Sequence, residues 1–116
     1  MPQRNPNQQK PRIFTLEEAR QLVPWLMEAS REAEARVFEI QQKAKDTRGA
    51  QTRSQRIIQY WAETVTKLGA EPKQPFTVDF DSGKDYFCWE YPEEDIYFRH
   101  DYHLGYAGRH RIEDSE

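Results

Sequence analysis

Cysteine occurs once, at Cys88, so one copy of the chain has neither an internal disulfide nor a multi-cysteine zinc cluster. Long apolar runs are missing as well. No stretch approaches the ~20 apolar residues of a membrane helix, and the opening Met1 to Lys10 lacks the apolar centre of a secretory signal. A soluble cytoplasmic protein with no membrane partner is the expectation. Neither sign of charge dominates: 17 Lys and Arg stand against 20 Asp and Glu, a net charge of −3. That balance gives no overall pull toward nucleic acid and sets it aside as a partner. Apolar residues reach only 36% of a 116-residue chain, one domain's worth of polypeptide with a lean core. Fifteen aromatics compensate, since each buried ring removes ~150–250 Å² from water.

Charge is unevenly spread. Residues 1–12 carry three basic groups, no acids and three prolines, which reads as a disordered N-terminal arm. Residues 13–112 form a single α+β domain, and 113–116 an acidic tail. Within the domain, residues 13–75 are nearly neutral, whereas residues 76–116 hold eleven acidic and four basic groups together with all three histidines. Whatever is chemically distinctive lies in that last third.

The fold class follows from periodicity: a long antiparallel helical hairpin over 15–69, then a three-stranded antiparallel β-meander over 76–101 and a Gly/Arg/His loop over 102–112. Thr15 and Glu18 fit a capping box that opens the first helix. Leu16, Ala19, Val23, Leu26, Ser30, Ala33, Val37, Ile40 and Ala44 then recur at alternating spacings of three and four, a coiled-coil seam with Ser30 its one polar member. Pro24 removes a backbone hydrogen bond and predicts a kink near Arg20 to Pro24. Gly49 reads as the break before a second helix with Ser54, Ile58, Trp61, Val65 and Leu68 on its seam, and Gly69 ends it. On this reading the first helix is the longer by about two turns, and its unmatched apolar length needs either the sheet or another subunit to cover it.

After Pro75 the period becomes two. Phe76–Phe80, Asp85–Tyr91 and Ile96–Asp101 read as strands joined by four-residue turns at 81–84 and 92–95. That pairing sets Phe80 opposite Asp85 and Tyr91 opposite Ile96. It puts Phe76, Val78, Phe80, Phe87, Trp89, Tyr91, Ile96, Phe98 and His100 on the helix-facing side. Thr77, Asp79, Tyr86, Cys88, Glu90, Tyr97, Arg99 and Asp101 fall on the other.

The runs Val78-Asp-Phe80, Cys88-Trp89, His100-Asp101 and Gly105-Tyr-Ala-Gly-Arg109, with Phe14-Thr-x-x-Glu-Ala19 and Pro24 upstream, resemble a small bacterial family of uncharacterised proteins, domain of unknown function 2203. The likeness spans about residues 13–112. It implies a helical hairpin plus a small antiparallel sheet, and it brings no activity, substrate or cofactor with it.

The candidate ligand-binding residues are Asp79, Asp101, Arg99, His103 and Arg109. Asp79 and Asp101 flank Tyr86 at roughly 9–10 Å, suited to gripping a ligand but on an open face that supplies no pocket to raise an acid's pKa. Cys88 neighbours Arg99 and, with no histidine on its face, lacks a base to make it a nucleophile. His100, on the apolar side, reads as a buried, hydrogen-bonded imidazole. Gly105 to Arg109 reads equally as an anion-holding loop or as a return loop tied down by Arg109. No cofactor and no metal set is assigned, although His100, His103 and the carboxylates are donors that suit zinc-like ions.

Two functions follow from these residues. The first is a structural or protein-interaction module that dimerises through its helices and offers the acidic sheet face to a protein partner. The alternative is a small-anion or metal-binding protein, with enzyme activity left open, whose site lies between the meander and the C-terminal loop.

Overall fold

The computed structural model describes residues 12–113. Most of the expected N-terminal arm and of the acidic tail lies outside that range. The chain is α+β. Helices α1 (Leu16–Gln21), α2 (Val23–Lys43) and α3 (Thr47–Lys67) precede strands β1 (Glu71–Pro72), β2 (Thr77–Asp81), β3 (Tyr86–Glu90), β4 (Phe98–His100) and β5 (His110–Arg111). The strands form one antiparallel sheet in the order β1-β2-β3-β4-β5. The three strands expected from the alternation are its centre; the short β1 and β5 extend it at either edge.

Thr15 opens α1 as a reciprocal capping box: the Glu18 N–H donates to Thr15 Oγ1 at 3.1 Å and the Thr15 N–H to Glu18 Oε1 at 2.8 Å. The expected kink is a full break at Leu22, which ends α1 and opens α2 with Pro24 in the new first turn. There the missing proline N–H costs nothing, because first-turn N–H groups have no intrahelical acceptor. The second helix begins earlier than Gly49. Asp46 caps it by accepting the Arg48 and Gly49 N–H groups, so Gly49 lies inside the first turn rather than in the break. As a result α2 and α3 are both 21 residues long. The unmatched length expected of the first helix is the separate α1, which packs Ala19 into the core. Gly69 stops α3 with φ of 91°, a conformation that side chains rarely adopt.

Ser30, the polar seam position, has a specific partner: the buried Trp61 indole N–H donates to its Oγ at 2.9 Å. Trp61, Val65, Leu26, Val23 and Ala19 meet Val78, Phe80, Phe87 and Trp89 from the sheet in one core, closed at one end by Phe14, whose ring stands edge-on to Phe80.

The strand register differs from expectation at both turns, with unequal consequences. In the β2–β3 hairpin the loop is Ser82–Asp85 and Phe80 pairs with Phe87. Ser82 and Asp85 bind each other through backbone and side chain, and Gly83, at φ 95°, donates to Asp81, so the turn sits one residue later than read. Both loop ends move by one, the pairing shifts by two, and every side chain keeps its face. The β3–β4 connection instead takes seven residues, 91–97, rather than four, and Cys88 pairs with Phe98. Glu93 folds it back: its N–H donates to the Glu90 carbonyl, its carboxylate accepts the Glu90 N–H, and its own carbonyl accepts the Trp89 indole N–H. This is a slip of one residue, so β4 is turned over. Phe98 and His100 join Cys88 on the side away from the helices, while Arg99 sits beside Phe87 with its guanidinium 5.2 Å from that ring centre.

Candidate metal centre

The slip in β4 assembles the site. Asp79 on β2 and Cys88 on β3 are register partners, and His100 on β4 reaches the same place from the other side. All three are buried, at 3%, 0% and 2% exposure. Their donor atoms lie within 4.8 Å of one another, which brings a carboxylate, a thiol and an imidazole together on three adjacent strands.

The His100 ring is oriented by its own neighbours. Nδ1 lies 2.8 Å from the Asp101 carbonyl oxygen, which can only accept, so Nδ1 carries a proton. Nε2 lies 3.0 Å from Asp79 Oδ1, also an acceptor. A ring nitrogen facing a carboxylate oxygen is held there only by a positive particle between them, either a proton or a metal cation. Cys88 contributes no thiolate by itself. Burial pushes its pKa up to about 12 against the lowering effect of the Arg109 hydrogen bond, so at neutral pH it is a thiol. That protonation and its full burial also exclude it as a free nucleophile.

Arg109 closes the back of the site. Its Nε donates to Cys88 Sγ at 3.3 Å, and its Nη2 donates to the Cys88 carbonyl at 3.3 Å and to Glu93 Oε1 at 2.6 Å. Its guanidinium stacks 4.2 Å over Phe98. These contacts make the Gly105–Gly108 turn a loop tied down by its arginine. Of the other candidates, Arg99 is on the helix side of the sheet, bonded to Asp85 at 2.6 and 3.0 Å, away from the site. Asp101 offers the site only its carbonyl; its carboxylate accepts the His103 and Leu104 N–H groups and builds the following turn. His103 is exposed and does not line the cavity. The structure therefore brings Asp79 and Arg109 together with Cys88 and His100, which the face assignment set on opposite sides of the sheet. The signal that would have joined them was the count of residues between Glu90 and Phe98, where an odd loop turns the next strand over.

Beyond Asp79 and His100 opens a cavity of about 420 Å³, walled by Tyr86, Tyr102 and Tyr106 and flanked by Lys73, Gln74 and Thr77. Each phenol donates to a carboxylate: Tyr86 to Glu71 at 3.2 Å, Tyr102 to Asp81 at 2.6 Å and Tyr106 to Glu90 at 3.0 Å. Burial, then the Glu71 bond, pushes the Tyr86 pKa up to about 12, and the Asp81 bond does the same for Tyr102.

The model of the family described as an uncharacterized conserved protein, DUF2203, matches residues 12–112. The chain belongs to that family. No curated protein and no solved structure matches it. For this DUF2203 member the site rests on its own geometry: three donors from three strands, a ring tautomer fixed from behind, and a cavity on the open side. Among the described residues, no helix is long and apolar enough to cross a membrane.

Proposed function

We propose that this protein binds a divalent transition-metal ion of the zinc type through Asp79, Cys88 and His100, with the cation's remaining position toward the cavity. The observation that carries the reading is the orientation of His100: with its Nδ1 proton given to the Asp101 carbonyl, its Nε2 is aimed at a carboxylate. A backbone carbonyl on the far nitrogen is the usual support of a metal-bound imidazole. A proton alone would satisfy the ring and Asp79, with the Cys88 thiol bonded to the same carboxylate; what favours the cation is that a carboxylate, a thiol and an imidazole converge on one point. Thiolate, imidazole and carboxylate together suit zinc, whose bond lengths of ~2.0–2.3 Å need donors about 3.2–3.8 Å apart, a small adjustment from the present cluster. The ion would displace the thiol proton, and the Arg109 guanidinium would hold the resulting thiolate. Three protein ligands with one open position is the pattern of sites that present a bound water to a substrate.

Calorimetry of chelator-treated protein with zinc tests this. One ion per chain should bind with release of the Cys88 thiol proton, and affinity should rise with pH. Cobalt should give a thiolate charge-transfer band that Cys88→Ser removes. Failure of micromolar zinc or cobalt to bind would discard the proposal.

A second reading, self-association through the hairpin, is supported by large apolar side chains left on it: Trp25 is 47%, Phe38 62% and Tyr60 71% exposed. Trp25 and Tyr60 border one groove between α2 and α3. Light scattering should find a dimer that Tyr60→Glu dissociates; a strict monomer at high micromolar concentration would remove this reading.

A further inference from the structure

The cavity in front of the metal centre has a character of its own. Its walls are tyrosine rings, and Tyr86 and Tyr102 meet edge to face, 4.9 Å between centroids and 85° between planes, forming an aromatic corner. Behind the rings stand Glu71, Asp81 and Glu90, each accepting a phenol hydroxyl. Two physical consequences follow. A phenol that donates to a carboxylate cannot donate to an anionic ligand, and the donation enriches its ring in electron density, which strengthens attraction of a cation to the ring face. The lysine on this lining, Lys73, is already paired with Glu71 at 3.1 Å. Its ammonium lies 5.5 Å from the Tyr86 ring centre. The chain's own ammonium thus sits against one wall.

We propose that this cavity binds an alkylammonium group, held in the corner of Tyr86 and Tyr102 with the carboxylates behind the rings as counter-charge. Aromatic walls backed by acidic groups are the chemistry that recognises quaternary and primary ammonium ions. An anionic ligand would meet the Asp79 carboxylate on the lining and the charge of the three behind the rings, and find one lysine, itself paired with Glu71. The inference stands on the rim of the cavity and not on the cation at its base, so it is tested on full-length, chelator-treated protein, where failure of the zinc reading leaves it unaffected.

The probes are choline and its uncharged isostere 3,3-dimethylbutan-1-ol, with n-butylammonium and butyrate as a pair of opposite charge, followed by calorimetry and by ring-current shifts of the ligand methyl protons. Choline should bind about tenfold more tightly than its isostere, and butylammonium ahead of butyrate. Tyr102→Leu should cost about tenfold, whereas Tyr102→Phe, which keeps the ring, should retain most of the affinity. Lys73→Ala, an exposed change, should strengthen ammonium binding several-fold by removing the internal competitor and freeing the charge of Glu71. Equal binding of choline and its isostere would overturn the proposal, as would preferred binding of butyrate, loss of ammonium binding in Lys73→Ala, or no ammonium binding at tens of millimolar.

Discussion

The two sides of the sheet are both buried at their centres, yet they are built by different means. The side toward the helices is filled by Val78, Phe80, Phe87 and Trp89, packed on Leu26, Trp61 and Val65. The other side holds Thr77, Asp79, Cys88 and His100 beneath a C-terminal segment pinned by Arg109 and Tyr102. Apolar burial is non-directional and tolerates many arrangements, so the first side needs only the right surface in the right volume. Polar burial is directional, and every donor must meet an acceptor. The second side is therefore the one where position matters to within a hydrogen bond. It brings three donor atoms to one point, which only a face satisfied atom by atom can do.

Substitutions on the two sides should differ in kind. Trp89→Ala on the helix side removes the largest fully buried side chain and should cost about 3–5 kcal/mol in urea unfolding, with any surviving folded protein still binding zinc. Arg99 tests the exception, a charge on the apolar side. Burial alone would raise the Asp85 pKa, but hydrogen bonds from Arg99 and Ser82 outweigh it and hold the carboxyl below its usual range. Arg99→Leu should cost about 2–3 kcal/mol at neutral pH, because it leaves Asp85 with Ser82 and a little solvent. A depressed folded pKa contributes stability above the unfolded value and loses it as pH falls through the folded one, so the wild type's acid-side loss below about pH 4 should shrink in the variant. An unchanged urea midpoint for Arg99→Leu would show that the two sides are less distinct than their packing suggests.

The helix side was legible in the sequence because period and apolarity coincide there. The alternation in Phe76–Phe80 and Tyr86–Glu90 assigned the faces of β2 and β3 correctly, and a two-residue error at their turn did no harm since side chains repeat every second residue. The capping box, the Pro24 interruption and the Gly69 stop were legible for a related reason: each is a local rule satisfied within a few residues. The site was not legible as a whole. Asp79 and Arg109 stood out by charge, but His100 was assigned to the wrong side because the Tyr91 to Tyr97 connection is irregular and its length sets the parity of β4. Isolated by pattern, Phe98 and His100 look like core residues and Arg99 like a surface one. The loop, folded over Glu93, exchanges their sides of the sheet, while His100 stays a buried, hydrogen-bonded imidazole as read and Arg99 is buried as well.

On the polar side, His100→Ala should cost about 1–3 kcal/mol in metal-free protein, since it leaves buried Asp79 without its ring partner. Zinc should then fail to raise the melting temperature, whereas it should raise that of the wild type. Trp89→Ala and His100→Ala thus separate the sides cleanly, the one in stability and the other in ligand response. A His100→Ala protein still stabilised by zinc would place the ion elsewhere.

The smallest effect is absent at neutral pH. Cys88 and Tyr86 both have folded pKa values pushed up to about 12, mainly by burial, above the ordinary 9.0 of the thiol and 10.0 of the phenol. A group whose pKa is raised on folding contributes stability that is complete below the unfolded value and is lost as pH climbs toward the folded one. Metal-free protein should therefore hold its urea midpoint to about pH 9 and lose it progressively toward pH 12. Tyr86→Phe should flatten the part of that loss above pH 10, and Cys88→Ala the part that begins near 9. The same titration in zinc should invert the Cys88 contribution, because a metal-bound thiolate has no proton left to lose and alkaline pH then favours the loaded state. A thiol contribution identical with and without zinc would mean that Cys88 packs beside the ion without binding it.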